Sequence, residues 1–440
     1  MKQRWSRLLA GSVVAGVVCA GCQTLPNPDC GETCRGADVE PNDTFATSVP
    51  VTLNAAGHAV VAGDISAIGD IDVYDLGVVS AGDVVDLTLT RTDANLRAAL
   101  ALYDGAGEFI NEDTLTSSVQ PSVDPAITHT VRADTDHVFA AVSHSVYRPT
   151  RGTYELSCTI TRGGVAPAPQ QQAILLSFLG GTVDDPVFGR YDVGEFDAGD
   201  IDPVYAGTTD AMKAAIRATF DQNYARFNIE VYDTDDPNAA AQLAGRAYSR
   251  VVFGGFNSFA FGAAEEVDLY DQNLSDTAII FTESFEPDLF VLTPTAEEMG
   301  AAIGNVAAHE VGHLLGLHHV HDPSALMDES SPAVTLLADQ EFKVAPLSEA
   351  IFPLGRQNAP GLLSVILGLN ASGAKLRYMA PLTLDEALNR LPTAKARMQF
   401  APNGVERGKC VNCLMREGLC GRGPLKDLMA ELGAGVVNDR

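Results

Sequence analysis

The chain has 440 residues, of which 46% are apolar and 20% are charged, and its formal net charge is −28. This length predicts two or three domains, and the composition is that of a globular protein with a sizeable core. A surface this acidic repels phosphate backbones and anionic headgroups, so the charge excludes nucleic acid as a partner.

The first 22 residues predict an export signal. Three basic residues, Lys2, Arg4 and Arg7, precede an apolar run at residues 8–20. This run is too short to cross a bilayer as a helix of the mature protein. The sequence therefore predicts an exported protein from which the signal is removed.

The signal ends in Ala20-Gly21-Cys22, which resembles the lipobox of bacterial lipoproteins. The resemblance implies that Cys22 is lipidated and that this lipid anchors the chain to a membrane. Gln23 follows where an Asp would imply retention in the inner membrane, so the same resemblance implies an outer-membrane lipoprotein of the cell envelope. Ordinary cleavage after Ala20 is the alternative, and it would give a secreted or periplasmic protein.

Residues 23–36 have few apolar side chains and are rich in Pro, Asn and Gly, which is typical of a tether. Cys30 and Cys34 lie within this stretch. In an oxidising compartment they predict a small local disulfide.

Residues 37–162 consist of short apolar or alternating runs separated by Gly and Asp turns. The runs at 84–89 and 98–103 are examples. Strands of this length and spacing predict an all-β sandwich.

Three stretches of this region carry a resemblance to a known family: Glu40-Pro41-Asn42-Asp43, Gly69-Asp70-Ile71-Asp72 and Leu102-Tyr103-Asp104. With a closing strand at 154–156, they are similar to the bacterial pre-peptidase C-terminal domain, a β-module that accompanies secreted peptidases. Asp70, Asp72 and Asp75 are candidate calcium ligands. The alternative is that they are hydrogen-bonded turn aspartates.

Residues 163–172 are rich in Pro and Gln and predict a linker. We expect this linker to be flexible and the two halves to be independent, so that a chain beginning at Gln171 would fold by itself. A second domain at 173–370 begins with an apolar strand and an acid-rich loop at 184–202. For that loop, calcium binding and simple solvation are both open.

Within the second domain, residues 211–227 have helical spacing, and strand signals follow at 227–232, 249–253 and 278–281. Residues 261–268 predict a strand at the sheet edge, where an extended peptide could pair with its backbone. Thr295 and Glu298 predict a capping box at the start of a helix over 295–315. Residues 342–369 have helical apolar spacing.

The helix over 295–315 ends in the pattern His-Glu-x-x-His-x-x-Gly-x-x-His. His309 and His313 are four residues apart, so both imidazoles leave the same helix face and can hold one metal ion. Gly316 can adopt a positive φ and end the helix, which returns His319 as a third ligand. Three neutral nitrogens suit Zn²⁺ and leave a position open for a water molecule, which Glu310 is placed to polarise.

This pattern, with Met327 eight residues after the last His, resembles the metzincin clan of zinc endopeptidases and its matrixin branch. The resemblance implies an α+β peptidase domain in which Met327 forms a hydrophobic floor below the zinc. Asp328 stands where many metzincins have Tyr, so no tyrosine role is carried over. His318 and His321 do not meet the ligand spacing, and we interpret each as solvated or as a supporting group beside the ligands.

Residues 371–440 predict a C-terminal extension that contains Cys410, Cys413 and Cys420. The Cys-x-x-Cys pair is compatible with a zinc site, but no His follows His321 to complete it. With Cys19 removed and Cys22 lipidated, six cysteines remain, an even number that favours three disulfides.

The sequence as a whole predicts a multidomain protein, an all-β sandwich followed by an α+β zinc domain, that acts as an exported zinc endopeptidase on protein or peptide substrates. Glu310 is the expected general base. The alternative is a non-catalytic cell-surface protein that binds a partner through its β-module, with the zinc fold as a scaffold. A carboxylate beside an open coordination position argues against this alternative, because a structural zinc site does not use one.

Overall fold

The computed structural model describes residues 34–114, 124–146, 149–185, 189–290, 292–329 and 333–370. The signal, Cys22, Cys30 and the extension at 371–440 with its three cysteines lie outside the described residues. Within the described residues, no helix combines the length and the apolar character that a membrane crossing requires.

The N-terminal half is built from strands. These are β1 Cys34–Ala37, β2 Val49–Pro50, β3 His58–Ile65, β4 Ile71–Asp75, β5 Val84–Arg91, β6 Ala98–Asp104, β7 Phe109–Asp113, β8 Ala126–Thr130, β9 Val138–His144 and β10 Gly152–Thr161.

The strands of this half form two five-stranded sheets, in the orders β1-β3-β10-β5-β8 and β2-β4-β9-β6-β7. Strands β3 and β5 alternate between buried and less buried residues, as strands with one face on a core do. An apolar cluster that includes Val85, Leu100 and Leu156 joins the two sheets. The mostly-β architecture predicted for this half is therefore present.

The second sheet differs from the first because several of its strands are buried on both faces. All seven residues of β9 and the first six of β6 are buried. Leu100 and Leu102 of β6 belong to the sandwich core, whereas Ala101 and Tyr103 belong to another apolar cluster. The outer face of this sheet is therefore covered by another part of the chain.

The C-terminal half is mixed α and β. Its strands are β11 Gln172–Ser177, β12 Gly181–Asp185, β13 Gly189–Val193, β14 Ile229–Asp233, β15 Ser249–Phe253, β16 Gly262–Ala264, β17 Thr277–Ile280, β18 Val344–Pro346 and β19 Arg356–Asn358. Its helices are α1 Ala198–Ile201, α2 Thr209–Tyr224, α3 Ala239–Leu243, α4 Ala296–Leu314 and α5 Ala359–Leu367.

The central sheet of this half has the order β14-β11-β15-β17-β16, with β16 at one edge and antiparallel to β17. Helix α4 packs against α2. A Cβ atom on Gly300 would lie 2.7 Å from the carbonyl oxygen of Met212, and one on Gly304 would lie 2.8 Å from that of Ile216. These two glycines let the helix backbones touch, which sets α4 deep in the core.

Several element predictions for this half are confirmed. The helix at 211–227 corresponds to α2, the strand at 249–253 to β15 and the helix at 295–315 to α4. The predicted edge strand is at the edge but shorter, since β16 covers only 262–264. The helical interpretation of 342–369 is wrong before α5. Leu347, Ile351 and Phe352 have helical spacing, but they pack on the sandwich instead of forming a helix.

The two halves, expected to be independent, contact each other, whereas the folding of a chain beginning at Gln171 by itself stays a prediction. Buried side chains from both halves, among them Tyr103, Phe109, Leu347 and Phe352, form one apolar cluster. The linker itself is bonded, because the backbone N–H of Gln170 donates to the carbonyl of Ile366 at 2.8 Å. The composition of 163–172 predicts only how that segment behaves. It carries no information about contacts between distant residues, such as the hydrogen bond from Tyr103 to Leu354, which are 251 positions apart.

The cysteine prediction needs one correction. Cys34 is disulfide-bonded, while Cys30, its predicted partner, lies outside the described residues. Cys158 is a free thiol in the sandwich core, and burial raises its pKa to about 12. Three disulfides among six cysteines would have required Cys158, so that prediction is wrong. Cys158 serves as a small apolar core residue.

The structure does not bring the three candidate calcium ligands of the sandwich together. Asp70 accepts hydrogen bonds from the backbone of Ser66, and Asp75 from the backbone of Gly77, as turn aspartates do. Acidic clusters compatible with a cation exist, but each contains only one of the three candidates: Asp72 with Asp38 and Glu40, and Asp70 with Glu40 and Asp43. Calcium binding by Asp70, Asp72 and Asp75 stays a prediction.

In the acid-rich loop of the second domain, described aspartates serve as caps. Asp197 accepts from the backbone N–H of Gly199 at the start of α1, and Asp202 accepts from that of Val204. Both satisfy N–H groups that a helix start leaves without a partner.

Candidate metal centre

Helix α4 positions the first two candidate ligands. It begins at an N-cap, Thr295, whose side chain accepts from the backbone of Glu298, while the Glu298 carboxylate accepts from the backbone of Thr295. This capping box satisfies two N–H groups at the helix start. About four and five turns later, respectively, His309 and His313 leave the same helix face, with His313 fully buried and His309 partly exposed.

The third candidate ligand is returned by a turn at Gly316, which has a φ of 90°. The backbone N–H of Leu317 donates to the carbonyl of Gly312 at 2.8 Å and closes the turn. A Cβ atom on Gly316 would lie 2.8 Å from backbone atoms of Asp268, Leu269 and Tyr270. Glycine is therefore required here both for its backbone conformation and for the space it leaves.

The three imidazoles converge on one point. The Nε2 atom of His309 lies 3.0 Å from that of His313 and 3.2 Å from that of His319. Two nitrogens bound to one tetrahedral zinc ion are about 3.3 Å apart, because each Zn–N bond is about 2.0–2.1 Å long. The separations and the donor type of the three ligands thus fit zinc.

The other ring nitrogen of two of these histidines is held by a carbonyl. Nδ1 of His309 bonds to the carbonyl oxygen of Leu326 at 2.7 Å, and Nδ1 of His313 to that of Leu317 at 2.6 Å. A carbonyl only accepts, so Nδ1 carries the proton and the Nε2 lone pair faces the centre. Burial lowers the pKa of His309 to about 4 and that of His313 well below its ordinary value, which keeps both neutral as metal ligands must be.

Glu310 is 1% exposed and lies against the edge strand β16. A Cβ atom on Gly262 of that strand would lie 2.7 Å from Cγ and from Oε1 of Glu310. The missing side chain at 262 therefore leaves the space that the Glu310 carboxyl group occupies.

A cleft with an empty volume of about 430 Å³ opens beside these groups. It is lined by residues of β16, of α4 and of the segment after the last histidine, namely Phe261, Gly262, Asn305, Val306, His309, Glu310, Leu326, Asp328, Leu336 and Gln340. A ligand in the cleft would reach His309, Glu310 and the edge strand together.

Met327 is buried below the histidines. A Cβ atom on Gly312 of α4 would lie 2.6 Å from its sulfur, so the thioether packs directly on the helix between the first two ligands. The backbone carbonyl of Met327 accepts from Val320, the residue after His319. The role of Met327 as a floor below the zinc stays a prediction.

His318 and His321, which flank the third ligand, have different surroundings. His321 is exposed, with its Nδ1 3.2 Å from a carboxylate oxygen of Glu329. His318 is 4% exposed, and its ring packs edge to face on Phe109 of the sandwich, with the ring centres 5.1 Å apart. His318 is therefore a buried group beside the site, and the interpretation of it as solvated is excluded.

Sequence reasoning missed four features of the site. They are the carbonyls of Leu317 and Leu326, the space left by Gly262, and Gln357, whose side chain bonds both backbone groups of His318. Backbone acceptors and empty space leave no pattern in a sequence. Gln357 is a buried polar residue of β19, and no sequence motif marks it as part of the site.

Comparisons with known proteins agree with this geometry. The sequence model of the family described as Matrixin matches residues 207–345, which include all three histidines, Glu310 and Met327. No curated protein matches the chain.

Three solved structures illustrate the structural likenesses. Archaemetzincin from Methanopyrus kandleri is 14% identical and covers 39% of this chain and 87% of its own, with a TM-score of 0.20. The pre-peptidase C-terminal domain of collagenase from Bacillus anthracis is 15% identical and covers 30% and 95%, with a TM-score of 0.18.

A periplasmic inhibitor of g-type lysozyme from Aeromonas hydrophila is 15% identical and covers 29% and 99%, with a TM-score of 0.21. The family match and the converging histidines support one coarse conclusion: the C-terminal half is similar to zinc metallopeptidases of the matrixin type.

Proposed function

We propose that this protein is an exported zinc-dependent endopeptidase that hydrolyses peptide bonds of protein substrates. The observation that carries the proposal is the convergence of three histidine Nε2 atoms beside Glu310 and an open cleft, with two of the imidazoles, those of His309 and His313, oriented by a hydrogen bond at Nδ1. A purely structural zinc site is closed by a fourth protein ligand. Here no fourth His, Cys, Asp or Glu of the described residues joins the group.

The chemistry divides between the bound metal and the residues of the chain. Zinc held by His309, His313 and His319 would supply a Lewis acid that polarises the scissile carbonyl and acidifies a water molecule. Glu310 takes the proton from the attacking water and passes it to the leaving amine. The edge strand β16 pairs with the backbone of an extended substrate and holds its peptide bond over the histidines.

The test is a comparison of Glu310→Gln with Glu297→Gln, a change at an exposed position of the same helix. Glu310→Gln should bind one zinc per chain and lose casein hydrolysis by a factor on the order of 10² or more, because only the proton shuttle is removed. Glu297→Gln should behave like the wild type. Casein hydrolysis by the Glu310→Gln variant at the wild-type rate would refute the catalytic assignment, and a wild type that binds zinc without any hydrolysis would favour the non-catalytic alternative.

We further propose that Cys22 carries the lipid that anchors the enzyme to the outer membrane. The proposal rests on Ala20-Gly21-Cys22 and on Gln23 after it. Cys22→Ser should move the protein from the membrane to the soluble fraction, because the lipid on Cys22 would be the anchor and a serine cannot carry it. A wild type that is already soluble would instead support cleavage after Ala20.

A further inference from the structure

The N-terminal sandwich contacts the segment that follows the metal centre. The outer face of its second sheet forms an apolar cluster with Leu347, Ile351 and Phe352. Tyr103, which is fully buried, lies at the middle of this cluster with its ring against those of Phe45, Phe109 and Phe352. The Tyr103 hydroxyl donates to the carbonyl of Leu354 at 2.9 Å.

Polar contacts surround this cluster and hold β19 to the sandwich. The Glu108 carboxylate accepts from Asn358 Nδ2 at 2.7 Å and lies 3.4 Å from the Arg356 guanidinium. The backbone N–H of Arg356 donates to the carbonyl of Gly107 at 3.2 Å. Strand β19 is thus fixed to the sandwich through residues on both sides of Gln357.

Gln357 and Ser348 connect this anchored segment to the third ligand through hydrogen bonds to the main chain. The Gln357 side chain accepts from the backbone N–H of His318 at 2.7 Å and donates to its carbonyl at 2.8 Å. The backbone N–H of Ser348 donates to the carbonyl of His319 at 3.1 Å. The main chain at 318–319 is therefore anchored on the segment 347–358, whose other side is anchored on the sandwich.

The sandwich also reaches this turn directly. Phe109 packs on the ring of His318, and Glu112 places a carboxylate oxygen 3.9 Å from its Nε2 atom. On the opposite side of the turn, Gly316 rests on the backbone of Asp268–Tyr270, and the Tyr270 hydroxyl donates to the carbonyl of Ile110 at 2.9 Å.

The helix that carries the first two ligands has no such contact with the sandwich among those described above. His309 and His313 stand on α4, which packs on α2 and on the central sheet inside the C-terminal half. Only the third ligand lies in a turn whose supports, on both sides, are bonded to the other domain. Loss of a residue that orients a metal ligand typically lowers metal affinity by about 10- to 100-fold.

We propose that the N-terminal sandwich is a positioning part of the zinc site, which holds His319 in place through β7 and β19. Phe109 and Glu108 are its positioning residues. This inference rests on the proposed function, since it assigns a role in metal binding to a module that could otherwise serve only to capture substrate.

The test measures zinc affinity of the full-length mature chain by competition with a chelator, and so does not depend on hydrolysis. Phe109→Ala should weaken zinc binding by about tenfold or more, the range found for groups that orient metal ligands. Leu102→Ala is the matched control, because it removes a buried apolar side chain from the sandwich core, next to Tyr103 but on the other face of β6. Leu102→Ala should lower the free energy of unfolding about as much as Phe109→Ala does, and it should leave zinc affinity within about twofold of wild type.

A second pair of variants avoids the risk of unfolding. Glu108→Ala releases β19 at the polar edge of the interface, and Glu155→Ala breaks an exposed ion pair with Arg35 elsewhere on the sandwich. Zinc affinity should fall several-fold for the first only. The rise in melting temperature on adding zinc should shrink in parallel for Phe109→Ala and Glu108→Ala, while Phe109→Leu, which keeps an apolar contact, should restore most of it.

The outcomes separate the two proposals. Equal zinc affinity in Phe109→Ala, Glu108→Ala and the wild type would overturn the positioning role, and so would equal losses in each variant and its control. A wild type that binds zinc tightly and depends on Phe109 but never cleaves protein would leave the positioning role intact and refute the endopeptidase.

Discussion

Glu310 depends on a neighbour that has no side chain. Gly262, on the edge strand, and Gly312, between the first two ligands, each leave space that a functional side chain occupies, Glu310 in one case and Met327 in the other. Neither has a φ in the left-handed region, so their role is the close approach of two elements and not a special backbone conformation.

Gly262→Ala should therefore lower kcat and leave zinc content unchanged. The new methyl group would stand 2.7 Å from Oε1 of Glu310, so the carboxyl group must move away from the position in which it exchanges a proton. We expect a loss of about tenfold or more in kcat, because small displacements of a catalytic base are costly.

The matched control for this change is Gly194→Ala in the same half, where an added Cβ meets nothing within 4 Å. It should keep wild-type kinetics. A Gly262→Ala enzyme with normal kcat would show that Glu310 does not need its observed position.

The candidate ligands could be identified from the sequence because their spacing is local. The spacing of four positions from His309 to His313 puts both on one helix face whatever the rest of the fold does. The groups that orient them could not be identified. The Leu326 carbonyl lies 17 residues from His309 in sequence, and any residue type would supply the same acceptor.

At the level of elements, α4 shows which boundaries a sequence determines. Its start follows from the capping box and its end from Gly316, both of which act within a few residues. The segment after Met327 lacks such local signals. Its apolar spacing indicated a helix, whereas Leu347 and Phe352 face another domain, since periodicity reports which residues are buried and not what buries them.

The turn at Gly316 gives a prediction for the element that carries the third ligand. Gly316→Ala forces a side chain into a φ of 90° and against backbone atoms 2.8 Å away. We expect His319 to be displaced and zinc affinity to fall by about tenfold or more, as measured by chelator competition.

Gly207→Ala provides the comparison for that variant. Gly207 has a φ of 80°, and a Cβ atom added there would have no neighbour within 4 Å. The variant therefore has the unfavourable left-handed backbone conformation but no steric clash. It should lose about 1–2 kcal/mol of stability and keep its zinc affinity. If the two variants lost zinc equally, the contact of Gly316 with Asp268–Tyr270 would have no part in ligand placement.

The loop between β16 and β17 contains a pH-sensitive group. Asp276 is fully buried, and burial, together with the nearby carboxylates of Asp268 and Asp271, raises its pKa from 3.8 to about 8. The folded protein therefore holds this carboxyl protonated at pH values where the unfolded chain releases the proton. Its contribution to stability is complete below pH 4 and is lost as the pH rises towards 8.

Asp276→Asn should accordingly flatten the pH dependence of unfolding. Between pH 5 and 8, the free energy of unfolding of the wild type should fall relative to the variant by about 1.4 kcal/mol per pH unit at most. Denaturant unfolding in EDTA measures this difference without a contribution from zinc. Asp288→Asn, at an exposed position, is the control, and parallel curves for wild type and Asp276→Asn would contradict the assignment.

At the scale of the whole molecule, the sandwich and the segment 347–358 contact each other through residues that are 250 or 251 positions apart, and no local sequence pattern predicts this contact. One signal was present in β6, whose continuous apolar run at 98–103 is typical of a strand buried on both faces and not of one exposed face of a sandwich. This pattern indicates that another part of the chain packs on the outer face of the sheet. It does not indicate that this part is the segment beside the metal ligands.

The interface changes what removal of the sandwich should do. A shortened chain beginning at Gln171 would expose the apolar side chains of Leu347, Ile351 and Phe352, which are at most 4% exposed in the intact protein. A contiguous exposed apolar patch drives association, so we expect this chain to aggregate during expression or on concentration. Analytical size-exclusion chromatography and light scattering would detect this.

Replacing Ile351 and Phe352 by Ser in the shortened chain separates solubility from zinc binding. These changes remove the exposed apolar surface and should restore a monomer, since the core around α4 is built from other residues. Zinc affinity should remain weakened by about tenfold or more, because Gln357 and Ser348 no longer stand on a fixed support. A soluble shortened chain with the zinc affinity of the intact protein would show that the C-terminal half positions His319 alone, and the sandwich would then be free to serve only in substrate capture.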